Sequence, residues 1–198
     1  MSEQTTTRRA LIVVDVQPTF CEGGALAVSG GNDIARAVAD FIERRGDDYD
    51  IIVSTQDWHI DPGTHFAPEG QEPDFVDTWP PHGIADTAEA ELHPALAGAR
   101  IDTSVKKGQY SPGYSGFDGV DDAQRPLDEV LREAGIAAVD VVGLVESHCV
   151  KETAVDARTR GYEARVFSDL TIPVSEELGV AARQTMREAG VTLAASAG

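Results

Sequence analysis

Cysteine and positive charge are both scarce in this chain. Only two cysteines, Cys21 and Cys149, occur in 198 residues. That is too few to staple a disulfide scaffold, so each reads as a core side chain or a reactive thiol. Lys and Arg number 16 against 34 Asp and Glu, a formal net charge of −18. Such a surface repels phosphate backbones and anionic lipid, and no dense Lys/Arg cluster offers a local exception, so neither nucleic acid nor membrane is expected as a partner. No apolar run approaches the ~20 residues that span a bilayer, and the polar stretch Met1–Arg9 lacks the apolar centre of a signal peptide. The expectation is a cytoplasmic protein. No internal repeat is visible. With 41% hydrophobic and 25% charged residues the composition is that of an ordinary globular chain. Its length supports one core, hence a single domain over 1–198 with residues 1–8 as a flexible N-terminal extension. Composition leaves monomer and homo-oligomer equally open.

Against these absences stands a regular alternation. Apolar, mostly β-branched runs bounded by turn residues occur at Ala10–Val16, Asp50–Ser54, Ile101–Val105, Ala138–Val145, Ala164–Phe167 and Val191–Ala194. They are continuous rather than alternating, as strands covered on both faces require. Amphipathic segments separate them. Ile34, Val38, Phe41 and Ile42 share one helical face before Gly46, and Leu127, Val130, Leu131 and Ala134 repeat the pattern before Gly135. Val150, Ala154 and Ala157 mark a third helix ending at Gly161, and Ser175 is the N-cap of a fourth with Glu176 and Glu177 in its first turn. The fold class is therefore α/β: a three-layer α/β/α arrangement around a mostly parallel six-stranded central sheet.

Two stretches break the rhythm, Gln56–Leu96 and Lys107–Arg125, both rich in Gly, Pro, His and aromatics. Loops this long in a compact domain are commonly functional or disordered, and their aromatics argue against disorder. Both leave strands at the carboxyl edge, where open α/β sheets bind ligands.

The candidate chemistry gathers at that edge. Cys149 follows the strand ending at Val145 after the turn Glu146-Ser147-His148 and opens a helix. The helix N-terminus favours an anion, so the thiol is expected to lose its proton readily and act as a nucleophile; an arbitrary cysteine, by contrast, is more often a small buried hydrophobe. Asp15 ends the first strand and Lys107 the third. Together with Cys149 they form a self-consistent set: carboxylate as base, thiol as nucleophile, ammonium stabilising charge. The competing reading makes Asp15 a turn cap and Lys106 and Lys107 solvated. Asp57, His59, His65 and His82 form a third group, whose carboxylate and imidazoles suit one divalent ion, zinc, iron(II) or manganese. Phe20, Trp79 and Tyr114 lie in the flanking loops and can wall a pocket for a flat ring. His93 and His148 carry no assignment, and Asp118, Asp121 and Asp122 read as a solvated acidic turn.

These residues fall in ordered motifs: Leu11-Ile-Val-Val-Asp-Val-Gln17, Phe20-Cys-Glu-Gly-Gly-Ala-Leu-Ala-Val28, Thr55-Gln-Asp-Trp-His59, Asp61-Pro-Gly-Thr-His-Phe66, Trp79-Pro-Pro-His82, Lys107-Gly108, Tyr114-Ser-Gly-Phe117 and His148-Cys-Val150. In them the chain resembles the nicotinamidase/pyrazinamidase branch of the isochorismatase-like cysteine hydrolases, nearly colinearly from Arg9 to about Leu193. The resemblance implies a catalytic Asp15–Lys107–Cys149 triad, with Lys107 preferred to Lys106 because it directly precedes glycine. It further implies a divalent metal on Asp57, His59, His65 and His82, and an oxyanion hole from the backbone N–H groups of Val145 and Cys149, with a cis peptide at Leu144–Val145. The implied substrate is an aromatic carboxamide, nicotinamide or pyrazinamide, stacked by Phe20, Trp79 and Tyr114. The chain departs from the family pattern at Gly83-Ile84 and at Glu146-Ser147; a second carboxylate beside the thiol raises its pKa unless it points to solvent. Rival readings are a carbamoyl amidase or isochorismatase of the same superfamily, and a non-catalytic binding module.

Overall fold

In the computed structural model of the chain, which describes residues 7–196, the six apolar runs become six strands: β1 (Arg9–Val14), β2 (Ile51–Asp57), β3 (Thr103–Lys107), β4 (Ala138–Leu144), β5 (Glu163–Ile172) and β6 (Thr192–Ala194). Most of the expected N-terminal extension lies outside the described residues. The sheet order is β3-β2-β1-β4-β5-β6, and every neighbouring pair is parallel.

Strands β1 and β4 lie at the centre and are buried along almost their whole length, which explains their lack of polar alternation. Side chains from both sides close the core. On one face α1 (Gly31–Arg45) packs Ala35, Val38, Phe41 and Ile42 on Leu11, Val13, Ile52 and Val142. On the other, α2 (Leu127–Glu133), α3 (Lys151–Thr159) and α4 (Glu176–Glu188) cover Ile12, Val14, Val139, Val141 and Val166. Helix α4 begins where the sequence predicts, with Ser175 Oγ accepting from the Leu178 N–H at 3.3 Å. Among the described residues no helix is long and apolar enough to cross a membrane.

Strand ends differ from the apolar runs for identifiable reasons. Strand β1 stops at Val14 because Asp15 adopts φ 46°, a left-handed conformation incompatible with extended backbone. Strand β2 continues through Thr55, Gln56 and Asp57, polar residues that are nonetheless buried. They can be buried because partners meet them: Asp57 N–H donates to Gln17 Oε1 at 2.9 Å, and Gln17 Nε2 donates to the Asp57 carbonyl at 3.0 Å. Strand β5 runs past the exposed Ser168-Asp169 after a register shift opposite Val141 and Gly143. The acidic turn is not uniformly solvated. Asp121 is 5% exposed; its Oδ1 accepts the N–H groups of Ala123 and Arg125 at 2.9 Å, and its Oδ2 pairs with the Arg125 guanidinium at 2.7 Å, which is why it turns inward.

The strand order reverses between β1 and β4, the switch point at whose carboxyl edge α/β sheets open a crevice. Gly143 lets the two strands close there: at φ 112° an added Cβ would sit 2.1 Å from the Val14 carbonyl oxygen. Gly143→Ala is therefore expected to lower the unfolding free energy by ~2 kcal/mol or more, measured as a reduced urea midpoint with an unchanged slope.

Candidate active site

The crevice is organised by a lysine. Lys107, the last residue of β3, is completely buried, and an ammonium removed from water needs compensating charge. Its Nζ lies 2.9 Å from Asp15 Oδ2, pairs with Asp57 Oδ1, and sits 3.5 Å from Cys149 Sγ. Burial opposes the lysine's charge, but the two carboxylates outweigh it and hold the ammonium well above the ordinary lysine range. The structure thus brings together Asp15, Lys107 and Cys149 from three separate strand ends.

The carboxylates respond in opposite directions. Asp57 is buried too, yet Lys107, with His59 and His82, keeps its carboxyl well below the usual range. Asp15 is raised: burial and the charge of Asp57 prevail over Lys107. Thr55 Oγ1 donates to Asp15 Oδ1 at 2.6 Å, whereas Asp15 Oδ2 accepts no well-aligned hydrogen bond. One ionised carboxylate and one more basic carboxylate with a spare acceptor therefore flank a single cation.

Cys149 occupies a wide helical turn in which the Val145 carbonyl accepts from both the His148 and Val150 N–H groups, at 3.1 and 3.2 Å. Its thiol is not depressed as the helix-terminus argument predicts. Burial pushes it well above the ordinary cysteine value, and Asp15 and Asp57 add to the effect, while Lys107 pulls down. The terminus contributes a fraction of a charge near solvent, whereas this sulfur lies 6% exposed beside two carboxylates. Burial thus favours the protonated thiol, and a potential ligand atom of each of Asp15, Asp57 and Cys149 lies within 4.8 Å of the others.

Next to this group the long loop folds three imidazoles into one cage. Donor nitrogens of His59, His65 and His82 lie within 4.8 Å of one another, and all three residues are buried. The Gly108 carbonyl holds His59 Nδ1 and the Pro80 carbonyl holds His82 Nδ1, each at 2.7 Å; the opposite nitrogens face inward. His59 Nε2 is buried without a partner, and Asp57 Oδ2 lies 3.7 Å from it and 3.6 Å from His82 Nε2. Burial, with His82 and His59 nearby, pushes His65 down to about 4, so it is a neutral imidazole. An orphaned nitrogen, three imidazoles, two of them fixed from behind, and a carboxylate oxygen suit a divalent cation. The charge count agrees, because two carboxylates and one ammonium leave a buried negative charge uncompensated. Asp57 is therefore more than the ligand the sequence suggests: it spans the cage and the lysine.

A cavity of about 320 Å³ opens onto both groups, with Phe20, Trp79, Tyr114 and Val145 in its walls. Trp79 Nε1 donates to the Tyr114 hydroxyl at 2.9 Å, fixing two of the three aromatic faces. The Leu144–Val145 peptide is cis. His148, unassigned from sequence, lies on the wall with its ring edge-on to Trp79 at 5.5 Å. Gln17 and Thr55 also escaped sequence reasoning. Only their place beside Asp15 and Asp57 hinted at a role, and amide and hydroxyl groups carry no signal of their own. His93 packs a turn, its Nδ1 accepting from the Ala95 N–H at 3.1 Å. Glu146 does not point to solvent: it is buried and paired with Arg183 at 2.7 Å.

Residues 9–197 match the isochorismatase domain family. A nicotinamidase/pyrazinamidase from Mycobacterium tuberculosis is 48% identical over 188 residues, covering 95% of this chain and 99% of the relative. Among solved structures, one from L. infantum in complex with nicotinate superposes with a TM-score of 0.82 at 32% identity, covering 96% of this chain and 93% of that one. A pyrazinamidase of Pyrococcus horikoshii in complex with zinc gives a TM-score of 0.81 at 30% identity, with 95% and 99% covered.

The cage depends on close backbone approach. At Gly108, φ 68°, an added Cβ would fall 2.5 Å from His59 Cε1 and 2.7 Å from Nδ1. Gly108→Ala is expected to displace the ring and weaken retention of a divalent metal by ~10-fold or more, read by competition with a chromophoric chelator, while the far-ultraviolet circular dichroism stays unchanged.

Proposed function

This chain belongs to the isochorismatase domain family, and from that premise we propose that it is a nicotinamidase that hydrolyses the carboxamide of nicotinamide, and of pyrazinamide, to the carboxylate and ammonia. One observation carries the reading: a thiol on the wall of an aromatic cavity meets a raised carboxylate and a buried ammonium behind it, and an imidazole cage borders the same cavity.

Asp57, His59, His65 and His82 hold a divalent cation, zinc in preference to iron or manganese; the P. horikoshii relative with zinc supports that choice. When bound, the cation supplies Lewis-acid attraction for a nitrogen lone pair of the kind a pyridine or pyrazine ring carries. Phe20, Trp79 and Tyr114 receive the flat ring, which leaves the carboxamide facing Cys149. Orienting the reacting atoms in this way accounts for much of the barrier reduction that such sites achieve.

Asp15 takes the thiol proton as Cys149 Sγ attacks the carboxamide carbon. Its raised pKa makes it a better base than a solvated aspartate, and Lys107 stabilises the thiolate as the proton leaves. The carbonyl oxygen gathers negative charge, which the backbone N–H groups of Val145 and Cys149 receive. Collapse of the adduct breaks the carbon–nitrogen bond; the proton held by Asp15 passes to the departing nitrogen, and ammonia leaves a thioester on Cys149. Water then attacks the thioester, Asp15 accepts its proton, and the released thiolate regains that proton as the acid departs.

Ammonia release from nicotinamide tests the scheme. Cys149→Ala and Asp15→Asn are each expected to lower kcat by ~10³-fold or more, and removal of metal by chelation to abolish turnover until zinc is restored. Turnover that survives Cys149→Ala would refute the nucleophile, and full activity of metal-free protein would refute the cage.

A further inference from the structure

One carboxylate beside the nucleophile has no part in the chemistry above. Glu146, three residues before Cys149, is 2% exposed. Its Oε2 accepts from Arg183 Nη1 at 2.7 Å, and the same guanidinium reaches Glu176 Oε1 at 2.6 Å through Nη2. Arg183 lies on α4, one turn beyond Gly179, where an added Cβ would come within 3.0 Å of Arg183 Nη1; the absence of a side chain there gives the guanidinium its channel. The next residue makes a second link: Ser147 Oγ accepts from the Val174 N–H at 3.2 Å and lies 2.9 Å from His148 Nδ1. The turn that presents the thiol is thus fastened at two successive residues, to α4 through Arg183 and to the segment leading into it through Val174. The same segment and the first turn of α4 place Val174 and Leu178 on the cavity wall.

A buried carboxylate without a counter-ion would add negative charge near a sulfur that must become a thiolate and near an amide oxygen that must become an oxyanion. We propose that Arg183 is a positioning residue for the hydrolysis: by neutralising Glu146 and tying it to α4, it fixes the turn that holds Cys149 and keeps an unbalanced charge from the reacting atoms. The role rests on the amidase reading, since the reaction it assists is the one assigned above. It differs from mere stabilisation in one respect. Removing one partner of a buried pair leaves an uncompensated charge, whereas removing both restores neutrality.

The test compares Arg183→Ala, Arg183→Lys and the double variant Glu146→Gln/Arg183→Leu with the zinc-loaded parent, by nicotinamide kinetics and by the rate at which iodoacetamide alkylates Cys149. Arg183→Ala is expected to lower kcat by about tenfold or more with KM changed less than about threefold, because the ring-binding wall and the cage are untouched. Alkylation of Cys149 slows in parallel. The double variant returns to within about threefold of the parent in kcat, and Arg183→Lys, which keeps the charge next to Glu146, does likewise. An Arg183→Ala kcat within twofold of the parent, a loss carried by KM, or a double variant as impaired as the single one overturns the proposal. If Arg183→Ala does not fold, a tenfold loss in Arg183→Lys overturns it and retention supports it. A parent that releases no ammonia overturns the amidase reading instead, and the alkylation rates then decide the role of Arg183 alone.

Discussion

Lys107 heads the completely buried side chains by size among the described residues, and an ammonium there is tolerable only because Asp57 approaches it from the end of the adjoining strand β2 and Asp15 from the end of β1 beyond it. Burying an ion costs several kcal/mol even after relaxation, so the three charges stand or fall together. Their arrangement follows from register. In the parallel pairing of β2 with β3, Asp57 lies directly opposite Lys107, and β1, on the other side of β2, delivers Asp15 at the same edge. The lysine then separates the duties of two identical side chains. Asp57 is held well below the usual carboxylate range and faces the imidazole cage, while Asp15, raised by burial and by Asp57, is the more basic of the two. Without the ammonium, two buried carboxylates would repel each other beside the thiol.

The loops that complete the site are long but pinned. Trp58 N–H donates to the Lys107 carbonyl and His59 N–H to the Gly83 carbonyl, at 3.0 and 2.8 Å, so the cage grows directly from the ends of β2 and β3. Lys106, the neighbour that does not enter the site, lies over the Trp58 ring at 4.0 Å and covers this junction. Glycine at 108 lets the backbone pass close enough to hold His59 from behind. Rigid strand ends and short bonds to loop backbone together give the donor atoms a fixed geometry, the condition for both ion binding and substrate orientation.

Much of this was legible in the sequence because the signals are local. Continuous β-branched runs give buried strands, and a cysteine at a strand-to-helix turn or three histidines in one aromatic loop attract attention by residue type alone. What was not legible depends on contacts between distant segments. The extension of β2 through Thr55-Gln56-Asp57 needs Gln17 as a partner; the inward turn of Asp121 needs Arg125; the burial of Glu146 needs Arg183, 37 residues away. The thiol's proton affinity departs from the sequence expectation for the same reason. The helix terminus can be read from neighbouring residues, but the burial and the two carboxylates that outweigh it come from other strands.

In the proposed reaction one buried ammonium lets a carboxylate and a thiol act as base and nucleophile beside a metal cage. The most direct measurement is mass spectrometry of protein acid-quenched during turnover of nicotinamide, comparing the natural chain with Lys107→Met. A nicotinoyl thioester is expected on the Cys149 peptide of the natural chain and none on the variant. An adduct forming equally fast without the lysine, or turnover in the natural chain with no acyl group ever found on Cys149, would contradict it.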